Sequence, residues 1–88
     1  GGYAVIAELN GARMTSRAAA HDHLQEMLAL PEYYGRNLDA LYDCLTDIQE
    51  DITVTLLRFD AMGSFRAGFR AVLEEAEQDN SHLIITIS

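Results

Sequence analysis

The sequence predicts a small α/β fold: a three-stranded parallel sheet covered by three to four helices. Apolar, β-branched runs fall at Tyr3–Leu9, Ile52–Leu57 and Leu83–Ile87. The segments between them carry apolar residues at helical spacing. Strands that alternate with helices favour parallel pairing through crossovers, so the predicted order is β-α-α-β-α-β. With 88 residues the chain has room for one domain, 1–88.

The first run, YAVIAEL, reads as a buried strand ended by the turn pair Asn10-Gly11. Thr15 or Ser16 can cap the helix that follows, RAAAHDHLQEMLAL, with Ala20, Leu24, Met27 and Leu28 on one face. Pro31 stops it, because the residue before proline is pushed out of helical geometry. In the loop PEYYGR, Gly35 is expected to supply a backbone angle that other residues resist. Asn37 can cap a second helix over Leu38–Ile48. The strand ITVTLL comes next, then the break DAMGS with a short extra helical turn near Met62. Phe65, Phe69, Val72, Leu73 and Ala76 mark an amphipathic helix closed near QDNS, and LIITI is the last strand.

Charge narrows the function classes. There are 14 acidic residues against six arginines, no lysine, and a formal net charge of −8. Nucleic acid as a direct partner and anionic membrane surfaces both need cationic side chains, so neither fits. A basic partner fits, and so does plain solubility. Cys44 is the only cysteine, which excludes an internal disulfide and suits a reducing cytoplasm. No stretch is apolar for long enough to span a membrane, and no signal peptide is expected. The opening Gly1-Gly2 reads either as a cloning remnant or as native sequence.

The stretch LPEYYGRNLDALYDCL, from Leu30 to Leu45, concentrates the unusual chemistry. At about 100° per residue, Leu38, Leu41, Leu45 and Ile48 share one side of a helix, and Asp39, Asp43 and Asp47 share the other. Tyr42 and Thr46 sit between. Like charges at i, i+4 repel by a few tenths of a kcal/mol per pair. Asp39 is offset by the positive end of the helix dipole, whereas Asp47 lies near the end where a carboxylate is disfavoured. Between Glu32 and Asp51 there are six acids and one base, Arg36. Such a face is either simply solvated or a protein-binding surface. The tyrosines favour the second, since stiff aromatic area beside steering charge suits a partner. Of Tyr33 and Tyr34, one is expected buried and one exposed.

LALPEYYGRNLDALYDCLT, Leu28 to Thr46, closely resembles the signature segment of the barstar family, intracellular inhibitors of secreted ribonucleases such as barnase. The resemblance runs without gaps from about Asn10 to Thr46, and AVLEEAEQDN leading into LIITIS fits as well; about Asp47 to Phe65 diverges and is shorter. It implies a barstar-like α/β fold and no catalysis, with aspartates standing where RNA phosphate would bind. Carried over by residue, it implies that Asp43 enters the basic pocket for the scissile phosphate and that Asp39 binds an arginine or lysine beside it. Tyr33 and Leu38 pack on the rim. Tyr42, where the family has tryptophan, supplies flat apolar contact. Thr46 ends the surface, and Glu75 adds an ion pair from the last helix. Asp47 stands where the family has glycine and Ile48 where it has tryptophan, which points to a basic, barnase-like ribonuclease with a different rim from barnase.

Other sites are set aside. His21 and His23 fall about 200° apart on a helix and do not chelate a metal together; one buried imidazole and one surface imidazole are expected. Asp39, Asp43 and Asp47 lack the loop spacing of a calcium site. Cys44, mid-helix near Leu41 and Leu45, reads as a buried structural thiol. No glycine-rich phosphate loop is present, and no cofactor or metal is expected. The preferred reading is a cytoplasmic ribonuclease inhibitor, monomeric before binding. The alternatives are an immunity protein of the same fold against another toxin nuclease, a small enzyme using Cys44 or the carboxylates, and an acidic adaptor that inhibits nothing.

Overall fold

The three β-branched runs become β1 (Val5–Asn10), β2 (Ile52–Leu57) and β3 (Leu83–Ile87) in the computed structural model, which describes residues 5–88. The part of the first strand expected at Tyr3 and Ala4 lies outside the described residues. The strands are parallel in the order β1-β2-β3. Parallel neighbours need a crossover. Between β1 and β2 it is made by α1 (Arg17–Met27) and α2 (Leu38–Thr46), and between β2 and β3 by α3 (Arg66–Asp79). The fold is therefore the predicted α/β arrangement, with 3-10 turns at Gly11–Arg13 and Phe59–Ala61. The second is the short turn expected near Met62.

The strand register builds the core. Ala7, Val54 and Ile85 form one cross-strand row, and Leu9, Leu56 and Ile87 the next. Leu24 of α1, Leu41 and Leu45 of α2, and Phe69, Leu73 and Ala76 of α3 are buried in one cluster with Leu9, Val54 and Leu56. No helix among the described residues covers the opposite face. Ile6, Thr53 and Ile84 make a row there, with Ile6 67% and Ile84 55% exposed. The first run is thus half-buried rather than buried, because the helices cover a single sheet face.

The turn after β1 leaves no room for a side chain. A β-carbon on Gly11 would lie 2.0 Å from the Arg58 carbonyl oxygen, a backbone atom that cannot swing aside. Arg58 itself is left-handed, at φ 55°. Gly11→Ala must push apart the turns that follow β1 and β2. It is expected to lower stability by about 1–3 kcal/mol or more, read as a drop in the urea midpoint.

Helix ends differ from expectation for identifiable reasons. Ser16 caps α1, accepting from the Ala19 N–H at 3.1 Å. The helix stops at Met27 instead of running to Leu30. Ala29 turns left-handed, at φ 51°, and the Leu30 N–H donates back to the Gln25 carbonyl at 3.1 Å. This is the six-to-one closure of a Schellman motif, and it ends the helix before Pro31 can. Met27 is consequently 39% exposed and not part of the core. Asn37 caps α2 as expected, accepting from the Ala40 N–H at 2.8 Å. The far end of α2 falls at Thr46 and not Ile48. There the side chain of buried Asn80 donates to the Leu45 and Ile48 carbonyls at 2.9 and 3.0 Å.

Both α1 histidines are buried, His21 at 1% and His23 at 5% exposure, where one surface imidazole was expected. They face different neighbours. His21 Nδ1 lies 2.6 Å from the Tyr34 hydroxyl, with its ring edge-on to Phe65. His23 Nε2 accepts the Asn10 N–H at 3.0 Å, which fixes that nitrogen as unprotonated. Adding a proton to it would oppose N–H to N–H. Burial is the main cause that holds both imidazoles below the usual 6.5, with nearby Arg36 and Arg17 acting on His21 and Arg13 on His23. The unfolded chain therefore binds these protons first. The stabilisation is complete above pH 6.5 and is lost as pH falls below it toward the depressed folded values. The urea midpoint is expected to drop between pH 7.5 and 5, with a slope of up to about 1.4 kcal/mol per pH unit for each histidine. A flat profile in that window would contradict this.

Candidate protein-binding face

The loop before α2 sets the tyrosines. Tyr34 turns inward and is buried, while Tyr33 is 88% exposed, so the expected division holds. Burial pushes the Tyr34 hydroxyl up to about 12, keeping it a protonated partner for His21. The left-handed residue in this loop is Arg36, at φ 55°, and not Gly35. Gly35 matters for space instead: a β-carbon there would lie 3.2 Å from Asn37 Nδ2 and 3.3 Å from the Ala40 β-carbon.

Arg36 is the one base in the acidic stretch, and it points away from it. Its guanidinium meets Asp22 of α1 at 2.6 Å, the Ala18 carbonyl at 3.2 Å and Gln25 Oε1 at 3.3 Å. Elsewhere among the described residues Arg70 pairs with Glu74, and His82 Nδ1 lies 2.9 Å from the Asp51 carboxylate. Asp39, Asp43, Asp47 and Glu75 therefore stand exposed with no ion-pair partner among the described residues. Asp39 lies in the first turn of α2, where the dipole favours it.

Helix α3 extends this face. The Tyr42 hydroxyl donates to the Asp79 carboxylate. That bond, with the charges of Asp79, Glu75 and Asp43 around it, pushes the Tyr42 hydroxyl up to about 12. The fold thus brings Tyr42 and Asp43 of α2 beside Glu75 and Asp79 of α3. Asp79 was absent from the residues singled out in the sequence. Its signal was its i, i+4 spacing from Glu75, which repeats the pattern of α2.

The remaining candidates are more engaged with the protein itself. Leu38 is half-buried and packs against the core, and its Cδ1 is 3.1 Å from where a β-carbon on Gly68 would lie. The Thr46 hydroxyl donates to the Tyr42 carbonyl at 2.9 Å, with the Asp43 carbonyl at 3.3 Å. Tyr33 stands apart on the loop, beside a groove at the end of α2 that also includes Asp47 and Ile48. Cys44 opens onto that groove and is half-buried, not the buried thiol expected. Burial first, then Asp43 and Asp47, push this thiol above its usual value, away from the reactive thiolate. Among the described residues no helix is long and apolar enough to cross a membrane.

A parallel α/β fold that gathers carboxylates and tyrosines across two helices places the chain among small acidic α/β proteins with one strongly charged face. Comparison with known families is more specific. The model of the family described as Barstar (barnase inhibitor) matches residues 4–86, so the chain belongs to the Barstar family. A Bacillus subtilis (strain 168) protein named "Putative ribonuclease inhibitor YrdF" is 41% identical over 64 residues, covering 67% of this chain and 70% of that protein.

Proposed function

We propose that this protein inhibits a basic ribonuclease by covering its active site with the α2–α3 face. The observation that carries this reading is the orientation of Arg36. The only base within the acidic stretch is committed to Asp22 and α1, so the carboxylates of α2 have no ion-pair partner among the described residues. A ribonuclease active site must be positive to hold phosphate, and it offers the donors these carboxylates lack. Family membership and the name of the Bacillus subtilis relative support the same reading.

In this role Asp43 occupies the phosphate pocket and Asp39 pairs with a neighbouring arginine or lysine. Tyr42 provides flat contact, oriented by Asp79, and Glu75 extends the ion pairs. Tyr33, Leu38 and Thr46 lie along the rim. The chain needs no chemistry of its own, and it acts as a monomer in the cytoplasm, where Cys44 stays reduced. The net charge of −8 draws a basic partner in quickly.

The test is inhibition of RNA cleavage by a panel of basic secreted ribonucleases, barnase included, at rising salt. We expect at least one to be inhibited, with association slowing as salt rises. Inhibition insensitive to salt, or none across the panel, would count against the acidic-face mechanism.

A further inference from the structure

The groove between the turn after α1 and the end of α2 has a chemistry of its own. It encloses about 240 Å³ and is lined chiefly by Leu28, Leu30, Tyr33, Cys44, Asp47 and Ile48. Its volume is below the roughly 300–1,000 Å³ of small-molecule pockets, which suits one long side chain better than a metabolite. Asp47 is its one charged lining residue. It is also the C-cap of α2, where a carboxylate meets the negative end of the helix dipole, and no base lies in the last turn to offset it. None of the ion pairs among the described residues reaches Asp47. Two sources of negative potential thus converge at a groove with aliphatic walls and no cation among its lining residues.

The walls say which cation fits. Leu28, Leu30 and Ile48 suit an aliphatic stem. Tyr33, 88% exposed, offers an open ring face, which a planar guanidinium stacks on more readily than an ammonium does. The left-handed Ala29 shapes the wall that faces α2. We propose that this groove receives an arginine side chain of the partner protein, its stem against Leu28, Leu30 and Ile48 and its guanidinium between Asp47 and Tyr33. The inference rests on the reading that the adjoining acidic face is covered by a basic protein. It adds a specificity contact that selects targets with an arginine at this rim.

The test uses the protein alone. The isotope-labelled chain is titrated by NMR with acetyl-Gly-Arg-Gly-amide, and with the same peptide carrying lysine or uncharged citrulline. We expect saturable shifts at the Tyr33, Cys44 and Ile48 amides with the arginine peptide, at a Kd in the millimolar range of a single-side-chain contact (about −4 kcal/mol at 1 mM). Lysine should bind several-fold more weakly and citrulline should leave these amides unmoved. Asp47→Asn should abolish the arginine response, and Glu8→Gln, on the uncovered sheet face, should keep it. Equal shifts with citrulline, an unchanged response in Asp47→Asn, or no saturable response would overturn the proposal. Lysine binding as tightly as arginine would overturn the arginine assignment. Failure to inhibit any ribonuclease sinks the proposed function and leaves this titration intact. A flat titration beside intact inhibition sinks the groove alone.

Discussion

Asp43→Ala is expected to weaken binding to the target ribonuclease by upwards of about 2 kcal/mol, roughly 30-fold or more. Asp43 is exposed at the centre of the acidic helix, with Asp39 one turn before it, Asp47 one turn after, and Glu75 and Asp79 across on α3. On the proposed reading Asp43 enters the partner's phosphate pocket, and its removal would leave the cations there buried without a counter-charge. The loss should fall mainly on the dissociation rate, measured by surface plasmon resonance. Glu8→Ala removes the same charge from the uncovered sheet face and should alter only association, and only slightly. Asp43→Ala should also leave the free protein as stable as before or slightly more so, because it relieves i, i+4 repulsion. Equal losses from Asp43→Ala and Glu8→Ala would mean that net charge, not this face, drives binding.

Phe69→Ala should do the reverse, damaging the fold before the face. Phe69 heads the fully buried side chains by size, and its ring stacks on Phe65 with centroids 5.6 Å apart. Truncating a buried phenylalanine costs about 3–5 kcal/mol through lost transfer energy and the cavity left behind. Small domains hold about 5–15 kcal/mol in total, so this variant should sit close to unfolding. The urea midpoint, followed by circular dichroism, should collapse toward zero denaturant. A loss below about 1 kcal/mol would mean that the core closes over the gap, and that α3 is not held as described.

The contrast between these variants follows how the chain divides its residues. The division into leucine and aspartate sides of α2 was legible, because it depends only on helical period and local composition. So were the strands and the cap Asn37, whose signals lie within a few residues, while the cap of α1 was narrowed to Thr15 or Ser16. What escaped depends on distant partners. The end of α2 is held by Asn80, 35 residues from Leu45 in sequence. The direction of Arg36 depends on its left-handed backbone and on Asp22 of another helix. His23 is buried because the end of β1 presents the Asn10 N–H to it. Asp79 joins the face only when α3 packs on α2 and the Tyr42 hydroxyl reaches it. Periodicity places a residue on a face; it does not say which other element meets that face.

The most direct measurement of the central claim uses the protein as bait. The immobilised chain is exposed to secreted bacterial proteins, retained material is eluted with salt, and the eluate is assayed on RNA with and without added free chain. The account predicts a salt-eluted ribonuclease that stoichiometric wild-type protein silences and that Asp43→Ala silences poorly. A retained partner that cleaves RNA equally well with the chain bound would contradict it.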